Sequence, residues 1–434
     1  MAEVMLAVTP FHGHVAPMAV VAGAFAAAGH RVRVYTGAAH AAAFEAAGAE
    51  VVRWREAPDF DEHELAATFP ELGSGTGLAQ LMRNIEQLFI RTGAAQCRDL
   101  LAAYEARPWD VLVAESTSLG AAFAADRTAT PWVTVCLTPL TLLDPGTPPP
   151  GFGIPPARGV LGRARDRLLI GVLRVLTRRL QRAHESERAL AGLPPDGRTF
   201  DEACYSPELV CASGIAELDV PRPDSGRVRY VGALSAPPPD ASPTRPTRAL
   251  PEWWPELLAH ERPVVHVTQG TQHLAPRDLV APSFGALGRQ EVLLVATTGR
   301  ADAPGFPFPA PPNARIAGFV PHAELLPHVD VMITNGGWGG ILAALSAGVP
   351  LIVAGGDADK PEAAARVGRS GAGIDLRTGR PSPRAVLRAY RTIAADPAYT
   401  ANARRLARLL RDHDGPREVV ELTTALMTNA ADPA

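Results

Sequence analysis

The chain of 434 residues is 47% hydrophobic and 20% charged, which suffices for large buried cores and favours a division into two domains. Its 42 Lys and Arg against 45 Asp and Glu leave a net charge of −3, so no global basic field exists to hold a nucleic acid, and small molecules are the expected partners. The cysteines Cys97, Cys136, Cys204 and Cys211 show no CxxC spacing and read as buried thiols of a cytoplasmic protein rather than as a disulfide framework.

Met1 to Met5 lead directly into an apolar strand with no charged n-region and no long apolar core, so neither a signal peptide nor a transmembrane span is expected. Short apolar runs then alternate with Ala- and Leu-rich stretches, the pattern of parallel βαβ units. In the first half the expected strands are VMLAVT (4–9), RVRVY (31–35), AEVVRW (49–54), VLVAE (111–115), WVTVC (132–136) and LVCAS (209–213). Between the first two lies a helix with Pro17 near its start and Gly29 just past its end. A long Pro/Gly loop at 138–159 suits the shaping of a pocket. Residues 158–188 then place nine arginines among Leu and Val at helical spacing; this is a solvated helix face or a contact with an anionic membrane surface, and both readings stay open.

The proline-rich run SAPPPDASPTRPTRALPEWWP opens an interdomain linker spanning 235–260. Beyond it the alternation restarts with VVHVT (264–268), VLLVAT (292–297), ARIAGF (314–319), VDVMIT (329–334), PLIVAG (350–355) and AGIDL (372–376). The expectation is an α/β protein with one Rossmann-like domain at 1–234 and a second at 261–415, followed by a helical tail at 416–434 that crosses back to the first. Ligands of open parallel sheets lie beyond the carboxyl ends of the strands, so two such domains facing each other define a cleft.

The richest stretch is Thr334-Asn335-Gly336-Gly337-Trp338-Gly339-Gly340, which ends the strand VDVMIT and opens the helix ILAALSAG. Four glycines leave the backbone bare where unpaired N–H groups and the positive helix end favour an anion. Close strand–helix packing is the other reason for glycines there. At the amino terminus, Thr9-Pro10-Phe11-His12-Gly13-His14-Val15-Ala16-Pro17 sets two imidazoles at the end of the first strand. Histidine is the side chain whose ordinary pKa suits proton removal near neutrality.

These motifs, with Gly318-Phe319-Val320-Pro321-His322 before the glycine run and Asp357-Ala358-Asp359-Lys360-Pro361 after it, resemble the donor-binding signature of family 1 nucleotide-sugar glycosyltransferases. The match extends along most of 264–376, and PFHGHVAP resembles the same family's acceptor-side start. The style is that of the actinobacterial group that decorates natural products and glycolipids. The resemblance implies the GT-B fold and an inverting, metal-independent transfer from a UDP- or dTDP-sugar to a hydrophobic small molecule, with no cofactor. It places the base at His14, oriented by Glu115, with Asp110 as a spare carboxylate, and puts His12 and Phe11 at the acceptor. It implies that Phe319 stacks on the nucleotide base, that the Val320 backbone reads the base edge, and that Thr271 and Asn335 meet the diphosphate. Gly337, Trp338, Gly339 and Gly340 supply backbone N–H groups, and Asp359 and Lys360 read the sugar.

Three departures stand out from the family pattern: Asn335 where a histidine is usual, Gly340 where Ser or Thr is usual, and Lys360 where Gln is usual. Asn335 can donate a hydrogen bond but carries no charge, and Lys360 is either a replacement for that charge or a solvated helix-start lysine. Asp357-x-Asp359 has the form of a metal-binding pair, yet it falls within the sugar-reading segment, and no metal is expected. His322 and His328 lack companions with zinc spacing, and no GxGxxG or GxSxG follows a strand. A GT-B-fold sugar-nucleotide epimerase and a non-catalytic auxiliary homologue are the alternatives, and monomer and homodimer are both open. Membrane contact, if any, is peripheral.

Overall fold

The computed structural model describes residues 1–431 apart from 74, 76, 144–145, 223–225, 236–249, 271–274, 301–302 and 304. The first half carries a sheet of β1 (Glu3–Ala7), β2 (Arg31–Thr36), β3 (Glu50–Arg53), β4 (Val111–Glu115), β5 (Trp132–Cys136), β6 (Leu209–Ala212) and β7 (Val228–Tyr230). Their order is β3-β2-β1-β4-β5-β6-β7, and every pair is parallel. The second half repeats the plan with β8 (Val264–Thr268), β9 (Leu293–Thr297), β10 (Ala314–Ala317), β11 (Val331–Thr334), β12 (Leu351–Val353) and β13 (Gly373–Asp375), in the order β10-β9-β8-β11-β12-β13. The architecture is α/β with two Rossmann-like parallel sheets. All twelve apolar runs of the sequence are strands. They could be read because a parallel sheet is covered on both faces and its strands are near-continuous apolar runs. The extra strand β7 is three residues long with Arg229 exposed, too short and too polar to stand out.

Helices cover both faces of each sheet. In the first half Val4, Leu6, Val15, Met18 and Phe25 form one core beneath the helix His12–Ala27, while Met5, Leu100, Leu112 and Phe123 belong to the core on the other face. The last helix, Gly415–Ala431, buries Val419 and Val420 in the same cluster as Val4 and Leu6, so the carboxyl terminus packs on the first half. Ile215 and Leu218, conversely, lie in a core with Leu342, Leu345 and Val367 of the second half. Of the stretch expected as a linker, 236–249 lies outside the described residues, and Trp254–Leu258 is a short helix whose Trp254 and Leu257 enter the second-half core.

The helix expected with Pro17 near its start begins at His12, five residues before the proline. Phe11 is the extended cap residue (φ −107°, ψ 134°), and its carbonyl accepts from Val15 N–H at 2.9 Å. Pro17 has no N–H for the carbonyl of residue 13, and a glycine there, with open space around it, leaves that carbonyl to solvent. The arginine-rich segment forms the helices Gly159–Leu176 and Arg178–Leu190, and the first turns Val160, Leu161, Leu168, Val172, Val175 and Leu176 outward among its arginines. Among the described residues no helix is long and apolar enough to cross a membrane.

Candidate active site

In both sheets the strand order reverses direction at one crevice, between β1 and β4 and between β8 and β11. Such switch points are where open parallel sheets bind ligands, and both contain the residues of interest. In the first sheet, β1 runs out through Thr9 into the first turn of the helix that holds His14, and β4 ends on Glu115. His14 Nδ1 stands 3.3 Å from Glu115 Oε2. The carboxylate is buried and fixed from three directions: Oε1 accepts from Thr9 N–H at 3.2 Å and from the Thr117 hydroxyl, and Oε2 accepts from Thr117 N–H at 2.9 Å.

The pair polarises itself. Burial alone would raise the Glu115 pKa, but the His14 charge and the hydrogen bonds from His14, Thr117 and Thr9 outweigh it and hold the carboxyl below its ordinary value. Burial alone would lower the His14 pKa, but Glu115, with further help from the charges of Asp359 and Glu62, holds the imidazole above its ordinary value. The Asp359 contribution is informative because it comes from the second half of the chain. With Nδ1–H donated to Glu115, Nε2 remains as the proton acceptor.

In the second sheet, Gly337 caps the helix Trp338–Ser346. A side chain built at Gly337 or Gly339 would meet nothing within 4 Å, so the backbone here faces open space, and the first N–H groups of the helix have no acceptor within it. Gly336 is different: its φ is +98° and an added Cβ would lie 3.1 Å from Val353 and 3.3 Å from Lys360, so glycine is required by backbone and by space. Lys360 is therefore beside the turn, and its ammonium pairs with Asp357 at 2.5 Å. Asp359 caps the helix Lys360–Ser370, and burial raises its pKa against the partial offset of a backbone hydrogen bond and of the Lys360 and His14 charges. Phe319 presents 43% of its surface just past β10, whereas Val320 is buried.

Several expected side chains have structural employment. The Asn335 amide donates to the carbonyl of Gln269, tying the end of β11 to the end of β8 across the crevice. The Trp338 indole is buried, and its Nε1–H reaches the Ser213 carbonyl and hydroxyl at 3.2 and 3.1 Å, in the first half. Phe11 is buried against Phe60 and Phe89, with ring centroids 5.1 and 5.9 Å away. His12 is exposed, and its backbone N–H donates to the Glu62 carboxylate at 3.1 Å. Two residues apart on a helix, His12 and His14 point to opposite sides. Thr271 lies outside the described residues. Asp110 sits at the far end of the first sheet, where its carboxylate accepts from Glu3 N–H. The His322 ring stands 5.8 Å from the His266 ring, and among the described residues no three His, Cys, Asp or Glu side chains gather as a metal-binding group.

The sequence reading missed Thr9 and Thr117, which hold Glu115, and a buried polar hub between the halves. Arg366 donates to Asp219 at 2.7 Å, to Glu362 at 2.9 Å and to the Leu140 carbonyl at 2.7 Å. Arg222 reaches the other oxygen of Asp219 at 2.8 Å, and Tyr230 donates to it as well. Burial alone would raise the Asp219 pKa, but the two guanidiniums outweigh it and lower it. Only the Glu-x-x-x-Arg spacing on one helix face was there to be read, and it is common on solvated helices.

The chain is similar to known proteins over nearly its whole length. A family described as erythromycin biosynthesis protein CIII-like, C-terminal domain, matches residues 289–426. The chain is 39% identical to 4'-demethylrebeccamycin synthase of Lentzea aerocolonigenes, over 98% of this chain and 100% of that one. It is 29% identical to UDP-glycosyltransferase 2 of Phaeomoniella chlamydospora, over 93% and 91% of the two chains. Among solved structures, the calicheamicin glycosyltransferase CalG4 superposes with a TM-score of 0.70 over 100% of both chains at 22% identity. The spinosyn rhamnosyltransferase SpnG, solved with thymidine diphosphate, gives 0.67 over 98% of this chain and 100% of that one at 19% identity.

Proposed function

This chain belongs to the family 1 glycosyltransferases of GT-B fold, in the natural-product group, and from that premise we propose an inverting, metal-independent transfer in which His14 is the general base. The donor is a nucleotide sugar, UDP- or dTDP-linked, and the acceptor is a hydrophobic small molecule such as a polyketide or another secondary metabolite. The observation that carries the reading is the pair of half-buried His14 and buried Glu115 at the switch point of the first sheet, close enough to Asp359 of the second half to feel its charge.

In this reading Glu115 accepts Nδ1–H of His14 and fixes the tautomer. Nε2 takes the proton of an acceptor hydroxyl or N–H, the freed lone pair attacks the anomeric carbon from the face opposite the diphosphate, and the bond from that carbon to the diphosphate oxygen breaks with inversion. The nucleoside diphosphate departs with the bonding pair. The helix start, open at Gly337 and Gly339, stabilises the charge that builds on it. Phe319 and Val320 hold the base. Lys360, beside Gly336, exchanges its ion pair with Asp357 for the diphosphate and so supplies the positive charge that Asn335 cannot, and Asp359 reads the sugar hydroxyls.

The test is nucleotide release from UDP- and dTDP-sugars against a panel of polyketide and aromatic aglycones, with EDTA present, and product stereochemistry read by NMR. The expected result is acceptor-dependent release, unaffected by EDTA, with the anomeric configuration inverted. Conversion of free nucleotide sugar without acceptor would point to an epimerase instead, and nucleotide binding with no turnover on any acceptor would point to an auxiliary protein.

A further inference from the structure

The hub between the halves has one arm that the reaction above does not use. Glu362 is the third residue of the helix that begins Lys360-Pro361, a position from which a carboxylate ordinarily turns back to its own helix start. Here it reaches into the other half. Glu362 Oε1 accepts the N–H of Gly151 at 2.9 Å and of Gly153 at 2.8 Å, two residues of the loop that follows β5. Gly153 has φ +58°, and an added Cβ would lie 3.0 Å from the Pro361 carbonyl oxygen. The same loop is held further back by Arg366 and Arg222, which both donate to the Leu140 carbonyl, and by Arg222 on the Leu142 carbonyl. Phe152, between the two bonded glycines, keeps 38% of its surface open.

The geometry points to Glu362 as a positioning residue that seats the loop 146–157 on the helix carrying Asp359 and Lys360, so that the acceptor side of the cleft is completed by the donor half. This rests on the glycosyltransferase reading for what the loop lines, and on the structure alone for what holds it. A loop leaving the carboxyl end of β5 has no backbone partner of its own at Gly151 and Gly153 beyond this carboxylate among the bonds described. Which acceptors fit is then set by residues on both sides of the cleft: Phe152 from the loop, and the helix start that fixes where Phe152 stands.

The experiment is hydrogen exchange followed by mass spectrometry on the full chain, comparing the native protein with Glu362→Ala, Glu362→Gln and Gly153→Ala. Binding of UDP and dTDP is measured on each by calorimetry. Glu362→Ala is expected to speed exchange in peptides covering 146–157 by tenfold or more, while peptides of β4 and β5 stay unchanged and nucleotide affinity stays within twofold. Glu362→Gln, which keeps an acceptor oxygen, gives a smaller rise. Gly153→Ala, which keeps the carboxylate but displaces the loop, gives a rise like that of Glu362→Ala. For any aglycone turned over, the acceptor KM rises at least tenfold with kcat and the nucleotide-sugar KM nearly constant. Unchanged loop exchange in Glu362→Ala, or loss spread evenly over the chain, overturns the assignment. So does a parallel fall in nucleotide affinity. Absence of turnover in the native protein would count against the glycosyltransferase reading and leaves the exchange result to judge the loop.

Discussion

His14 shows how a single side chain is tuned by its neighbours. Its imidazole is partly buried, which disfavours charge, yet the Glu115 carboxylate 3.3 Å away wins and raises its pKa. Only the neutral ring can take a proton, so kcat/KM should fall as pH drops through this raised value. The acid limb is expected above the ordinary imidazole pKa of about 6.5. Glu115→Gln removes the largest raising influence while burial remains, so the limb should move to lower pH, with turnover reduced about 10²-fold or more through the lost tautomer control. Asp359→Asn should move the limb in the same direction by less. A pH–rate profile on the three proteins checks this, and an unmoved limb in Glu115→Gln would remove His14 from the chemistry. The pair was legible through the family resemblance, which named both residues, and Glu115 also through its place at the end of an apolar strand, whereas His14 lies in the first turn of the helix that follows β1. Thr9 and Thr117 were not, since a hydroxyl beside a strand end is ordinary until the fold brings residues 108 positions apart to 2.9 Å.

At the scale of the element, the glycine run divides into two kinds of position that look alike in sequence. Gly336 is fixed by the fold, with positive φ and neighbours on its Cβ vector, whereas Gly337 and Gly339 face open space. Gly336→Ala should therefore cost about 1–3 kcal/mol of stability, measured by urea unfolding. Gly339→Val should cost less than about 1 kcal/mol by helix propensity, yet weaken UDP or dTDP binding more than tenfold by filling the cradle. Equal losses of stability in both would mean that the run is there for packing alone. The strand-to-helix placement of this run was readable from its flanks. The commitment of the Asn335 amide to the Gln269 carbonyl and of the Trp338 indole to Ser213 was not, because each partner lies more than sixty residues away in the chain. Pro17 marked the helix but not its first residue: an exposed glycine four residues earlier lets the helix begin at His12 and pass through the proline.

The whole molecule is two sheets of the same plan joined by more than a linker. The last helix belongs to the first core, Ile215 and Leu218 belong to the second, and Arg366 is only 3% exposed at the centre of the hub between them. Removing it leaves Asp219 and Glu362 buried without their main counter-charge. Arg366→Ala should then cost about 3–5 kcal/mol. Asp219 has a folded pKa below its unfolded one, so its contribution is full above the unfolded value near 3.9 and is lost only as pH falls through the folded value. The cost of Arg366→Ala should accordingly persist across neutral pH. Strand content at this scale follows from apolar patterning, which local sequence carries; the strand order and the hub do not, because both are made of contacts between distant residues, those of the hub running from 140 to 366.

The central claim, that His14 performs base catalysis on a bound nucleotide sugar, is tested most directly by His14→Ala. Calorimetry with UDP and dTDP and single-turnover transfer should be run on the same preparation. The account predicts nucleotide affinity within about twofold of the native protein and transfer reduced by about 10³-fold or more. Transfer at the native rate, or loss of nucleotide binding together with transfer, would contradict it.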